Sequence, residues 1–182
     1  MNNESRMSQK HLEIFYANSL FSIPNSKIMK KIYLPNINTT KTLAGQMAKK
    51  LKGGEVLALS GPLGSGKTTF VQFLAKALGV KQAVRSPSFI VLQVFKINSK
   101  RITHNAKLLC HVDCYRLKDT KELNTLGLHD YLGKPNVITV IEWAEKIKKI
   151  FPPKTIWLKF KYAKHGRMAL IRASNRHGID FF

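Results

Sequence analysis

The chain has 182 residues, 44% of them hydrophobic, which is enough apolar material for one core without disulfide or metal staples. No apolar run reaches the roughly 18 residues that a membrane-spanning helix needs, and the start lacks the basic, apolar and small-residue succession of a secretory signal, so a cytoplasmic protein without a membrane role is expected. Lysine and arginine number 31 against 10 aspartates and glutamates, a net charge of +21 that favours contact with polyanions but identifies no partner.

Residues 1–28 are polar with scattered aromatics and show no sustained period. They read as an extension outside the domain, disordered or a misassigned translation start before Met29, with the domain itself at 29–182. From Asn38 the pattern turns helical, with Asn38 or Thr39 as N-cap, Leu43, Met47 and Leu51 on one stripe, and Gly53-Gly54 as the stop. Glu55 to Ser60 reads as a strand, followed by a glycine-rich loop and then a helix from about Lys67 to Leu78. The apolar positions Phe70, Val71, Leu74, Ala77 and Leu78 of that helix recur at helical spacing.

After Ser86-Pro87-Ser88 the segment FIVLQVFKI reads as a strand that returns, across a basic loop, as LLCHVD, a hairpin. Cys110 and Cys114 lie four apart in this apolar run, on one face but too far apart to bridge, and are expected as buried, reduced thiols. A short helix is expected near Thr120 to Leu126. Asn136 to Trp143 is almost continuously apolar and β-branched, as suits a strand buried on both faces in the interior of a sheet. TIWLKFKYA and RMALIRA alternate about Lys164-His165-Gly166 as a closing hairpin. The expected fold is α/β and P-loop NTPase-like: a mixed sheet flanked by helices, parallel around the loop and antiparallel in its hairpins.

The loop carries the chemistry. Gly61, Gly66, Lys67 and Thr68 fit G-x-x-x-x-G-K-[ST] between a strand and a helix, the context in which that pattern binds phosphates. Gly61, Gly64 and Gly66 free the backbone so that successive N–H groups face phosphate oxygens at the positive end of the helix. Lys67 is placed for the β and γ phosphates and Thr68 for Mg²⁺. From Val56 to Val112 there is no carboxylate, while Lys67, Lys76, Lys81 and Arg85 all lie there. The metal site calls for an acid at a strand end, and two compete: Asp113 after LLCHV and Glu142 after VITVI. Both are kept, Glu142 on the metal side and Asp113 as an acid able to orient water. No Asn-Lys-x-Asp occurs, so adenine is expected rather than guanine.

Taken in order, LPN, GPLGSGKTTF, Ser86-Pro87-Ser88-Phe89, HVDCYRL from His111, ELNTLGLHDYL, IEWAE from Ile141 and Gly166-Arg167 make the chain, from Ile32 to Ala173, resemble the bacterial TsaE (YjeE) ATPases. The resemblance implies an ATPase, weak alone, that acts with the proteins TsaB and TsaD in making N6-threonylcarbamoyladenosine in tRNAs reading codons that begin with A, meeting tRNA indirectly through that complex. It implies Thr68 and Glu142 as Mg²⁺ ligands, Gly64, Ser65, Gly66, Lys67, Thr68 and Thr69 as the phosphate cradle, and Asp113 as the acid for hydrolysis. Ser88 would be a switch-like residue near the γ-phosphate and Trp143 would lie against the nucleotide, whereas Trp143 and Tyr115 read without it as core packing. Pro35 to Thr39, with Asn36 and Thr39, and the Gly166-Arg167 turn would border the adenine and ribose. His111 reads as a structural strand histidine. The chain departs from the family pattern at Pro62, where an acid is usual, and at Ser88, where threonine is common. An independent phosphotransferase and a nucleic-acid-binding module that keeps ATP as a structural ligand are the competing readings.

Overall fold

The computed structural model describes residues 28–85, 92–98, 105–117, 123 and 126–173. Their elements, in chain order, are β1 (Ile28–Leu34), α1 (Ile37–Lys50), β2 (Val56–Ser60), α2 (Lys67–Ala77), β3 (Leu92–Lys96), β4 (Leu108–Asp113), β5 (Val137–Glu142), β6 (Ile156–Tyr162) and β7 (Arg167–Ala173). Short 3-10 turns at Leu128–Asp130 and Ala144–Ile150 flank β5. The seven strands form one sheet in the order β1-β7-β6-β2-β5-β4-β3. Strand β2 runs parallel to β5 and β6, and β4 parallel to β5, while β1 with β7, β6 with β7 and β3 with β4 are antiparallel.

Every residue of β2 and β5 is buried, which is why both read as near-continuous apolar runs. Alternation sends Leu57 and Leu59 of β2 and Ile138 and Val140 of β5 to the face covered by α1 and α2. Val56, Ala58, Val137 and Ile141 go to the opposite face, packed against Leu117, Leu123, Leu128 and Ile147 of the connecting segments. Phe70 of α2 meets Phe160 of β6 with ring centroids 5.6 Å apart, joining helix to sheet directly below the glycine loop. Burying side chains of this size stabilises by roughly 2–3 kcal/mol each.

Two boundaries differ from the sequence reading. The N-cap of α1 is Asn36 rather than Asn38 or Thr39: its side chain accepts from Thr39 N–H at 3.1 Å, and Thr39 Oγ1 accepts in return from Asn36 N–H at 3.5 Å. Thr39 sits at the third helical position, and that reciprocal pair satisfies more of the helix start than a cap two residues later could. At the other end the helix stops at Lys50, before the glycines, and the Glu55 carboxylate accepts the N–H groups of Lys52 and Gly53 at 2.9 and 2.7 Å. Strand β1 had no counterpart in the sequence reading; it pairs along its whole length with β7. Most of the helix expected at Thr120 to Leu126, and the start of the strand expected at Phe89, lie outside the described residues. Cys110 and Cys114 are buried and unbridged, and burial pushes both thiols up to about 12.

Candidate functional site

The loop from Gly61 to Gly66 leaves β2 in the middle of the sheet and delivers the chain to the start of α2. Gly61 runs so close to β6 that a Cβ there would lie 2.3 Å from the Phe160 carbonyl oxygen, and its φ of 132° admits little but glycine. Gly66, at φ 99°, caps α2 without a side-chain hydrogen bond, and the first turn of α2 carries no acidic residue. The helix therefore presents uncapped N–H groups and its positive end to a cleft of about 190 Å³. Loop, helix and the ends of β4 and β5 line that cleft together, so Gly64, Gly66, Lys67, Thr68, Thr69, Asp113, Glu142 and Trp143, foreseen from sequence, converge. Ser65 is buried under the loop, with its hydroxyl lacking a partner among the described residues.

Lys67 is only 4% exposed. Its ammonium donates to the carbonyls of Gly61 at 2.7 Å and Pro62 at 3.0 Å and stands 4.0 Å above the centre of the Trp143 ring. Burial lowers its pKa from the ordinary lysine value, opposed by the charges of Glu142, Glu145 and Asp113. Thr68 Oγ1 donates to Glu142 Oε2 at 2.8 Å, and His111 Nε2 lies 3.0 Å from Glu142 Oε1. Asp113 is the register partner of Glu142 on the adjacent parallel strand, and its Oδ1 accepts from Tyr115 N–H at 2.9 Å.

Trp143 follows Glu142 with φ 56° and ψ 36°, a left-handed conformation that a bulky residue adopts only under constraint from its surroundings. It turns the ring between Lys67 and Tyr115, whose ring centre lies 4.9 Å away. Tyr115 is 48% exposed and so is not the core packing that residue type alone suggested, whereas Trp143 is partly buried and does pack against the core on its side of the sheet. On the far side, the hairpin of β6 and β7 reaches the loop: Arg167 Nε and Nη2 each lie 3.3 Å from the Gly64 carbonyl oxygen, and Tyr162 donates to the Leu63 carbonyl. A Cβ on Gly166 would lie 2.6 Å from the Leu34 carbonyl oxygen, so the Gly166-Arg167 turn lies against Leu34-Pro35, the segment leading into α1. Asn36 and Thr39 are occupied with each other in the α1 cap. Ser88 lies outside the described residues.

The sequence reading missed Tyr162 and underrated His111. Strand period 2 was the available signal, since it places His111 on the same face as Asp113, toward the acids and α2 rather than into plain apolar packing. A magnesium ion fits the donors present. Thr68 and Glu142 supply two oxygens, no group of three or more histidine, cysteine or acidic side chains that could hold a metal ion occurs among the described residues, and Mg²⁺ characteristically takes one or two protein oxygens beside water and phosphate.

A mixed sheet whose central strand ends in a glycine loop opening a helix, with an acid closing the neighbouring parallel strand, defines an α/β protein of the P-loop type. Residues 34–169 match the family model described as threonylcarbamoyl adenosine biosynthesis protein TsaE. Among relatives, the Aquifex aeolicus tRNA threonylcarbamoyladenosine biosynthesis protein TsaE is 39% identical over 124 residues, 67% of this chain and 82% of that protein. The Bacillus subtilis protein of the same name is 34% identical over 137 residues, 74% of this chain and 80% of its own length. The crystal structure of Bacillus subtilis YdiB superimposes with a TM-score of 0.61 at 28% identity, covering 81% of this chain and 87% of that one. The chain belongs to the TsaE family.

Proposed function

We propose that this chain binds Mg-ATP in the cleft at the start of α2 and hydrolyses it, as the ATPase subunit that serves threonylcarbamoyladenosine synthesis on tRNA in the cytoplasm with TsaB and TsaD. The observation that carries the reading is the 2.8 Å hydrogen bond between Thr68 Oγ1, in the first turn of α2, and Glu142 Oε2, at the end of β5. It joins a hydroxyl and a carboxylate at the mouth of an uncapped, carboxylate-free helix start, where a triphosphate and its cation would be neutralised together.

Main-chain N–H groups of Gly64 to Thr69 hold the phosphates, and Lys67 exchanges its carbonyl partners at Gly61 and Pro62 for phosphate oxygens. Thr68 and Glu142 hold Mg²⁺, which when bound offsets charge on the β and γ phosphates. Asp113, fixed by Tyr115 N–H, orients the attacking water. Trp143 covers Lys67 from one side. The base and ribose lie between Pro35 to Thr39 and the Gly166-Arg167 turn, which the fold holds side by side.

Calorimetric titration with ATP, with magnesium and with EDTA, tests the binding step, and phosphate release with and without TsaB and TsaD together tests the assignment to the assembly. Magnesium-dependent affinity that Lys67→Ala abolishes, and slow turnover that the two partners raise, are expected. Turnover indifferent to both partners, or phosphate passed to a small acceptor rather than to water, would overturn the proposal.

A further inference from the structure

His111 lies in the middle of β4, fully buried, on the sheet face that carries Asp113 and meets α2. Its Nε2 is 3.0 Å from Glu142 Oε1, while Glu142 Oε2 takes the hydrogen bond from Thr68. A carboxylate only accepts, so Nε2 carries the hydrogen and donates. Nδ1 is buried with no hydrogen-bond partner among the described residues, so the ring's directed interaction there is spent on Glu142. Burying an imidazole in this way costs free energy that an aliphatic side chain in the same strand would not incur. The last torsion of a glutamate is broad, and hydrogen bonds at both oxygens narrow it further than a bond at one.

Resting on the Mg-ATP reading above, we infer that His111 is a positioning residue. It clamps the Glu142 carboxylate through Oε1 and so presents Oε2, beside Thr68, in the orientation that a cation between that pair and a phosphate requires. The two hydrogen bonds use different oxygens, so the histidine bond is compatible with any ligand taken by Oε2. Partners one step removed from a metal ion act in this manner by fixing the direction of a ligand, and losing one typically costs 10–100-fold in metal affinity.

Three variants separate positioning from packing. His111→Leu keeps apolar bulk and removes the donor; His111→Gln keeps a donor near the place of Nε2; His111→Asn is polar but too short to reach Glu142. Titration of each with ATP in magnesium and in EDTA gives the gain in affinity due to the ion. His111→Leu and His111→Asn should lose about tenfold of that gain with unchanged affinity in EDTA, and His111→Gln should recover most of it. Full gain in His111→Leu, an equal loss with and without magnesium, or a His111→Gln no better than His111→Asn would overturn the inference, and the comparison of Gln with Asn decides the matter if the Leu variant does not fold. Absence of any magnesium gain in the unaltered protein would instead overturn the Mg-ATP reading itself.

Discussion

Glu142 and Asp113 close adjacent parallel strands in register, and both read from sequence as an acid after an apolar run. Their surroundings separate them. Glu142 is 1% exposed and bonded to Thr68 and His111, whereas Asp113 is 8% exposed and accepts the Tyr115 N–H at the mouth of the cleft. Glu142→Gln should therefore weaken magnesium-dependent ATP affinity by at least about tenfold, the scale of a lost bond to a charged group, while Asp113→Asn should bind as before and hydrolyse slowly. An equal fall in binding for both would show the division of roles to be wrong. Cys110 makes a prediction about pH. Its thiol titrates near 12 in the fold against 9.0 for an ordinary cysteine, because burial penalises the thiolate. Between those values the unfolded chain has lost the proton and the folded chain has kept it, so stability falls as pH rises through this window. The slope approaches about 1.4 kcal/mol per pH unit, and Cys110→Val should flatten the decline in melting temperature between pH 9 and 11. A decline as steep as in the unaltered protein would show that Cys110 does not contribute.

At the scale of elements, Gly61 joins β2 to the loop where a Cβ would strike the Phe160 backbone at 2.3 Å. Gly61→Ala combines that contact with a disfavoured φ and should cost about 3 kcal/mol, roughly 10 °C in melting temperature for a chain of this length. A shift within about 1 °C would mean the loop yields without strain. Asn36→Ala removes the α1 cap at a cost of about 1 kcal/mol. It should leave ATP affinity within about threefold, because the Asn36 side chain is already committed to Thr39, and the melting temperature read beside the titration distinguishes a cap from a ligand contact. Both cases show what could be read from the chain alone. The glycine loop between β2 and α2 was legible because its pattern is local and contiguous, and β5 was legible because burial on both faces leaves an apolar run. Strand β1 was not, since Lys30, Lys31 and exposed Tyr33 interrupt its apolar pattern and its partner β7 lies at the other end of the domain. The α1 cap was misplaced because Asn36, Asn38, Thr39 and Thr40 are all able to cap, and only the reciprocal bond to Thr39 selects the first.

The whole molecule carries +21, yet the interval from Val56 to Val112, which contains the loop, α2 and most of β4, has no carboxylate at all. Two kinds of polyanion contact would differ in their physics. Mg-ATP bound as proposed would be held by fixed amides, buried Lys67 and the pair of Thr68 and buried Glu142, so its affinity should depend moderately on salt and wholly on Lys67. Diffuse contact with RNA would engage exposed lysines such as Lys31, Lys81, Lys154 and Lys164, release condensed counterions, and fall steeply with salt while ignoring the phosphate loop. For unmodified tRNA, the logarithm of the binding constant against that of salt concentration should have a slope of about −3 or steeper, on the order of 0.9 or less per phosphate neutralised. Lys67→Ala should reproduce that slope and affinity while failing to bind ATP. If Lys67→Ala lost tRNA binding together with ATP binding, the two polyanions would share one site, and the basic surface would be no more than solvation around a single phosphate-binding cleft.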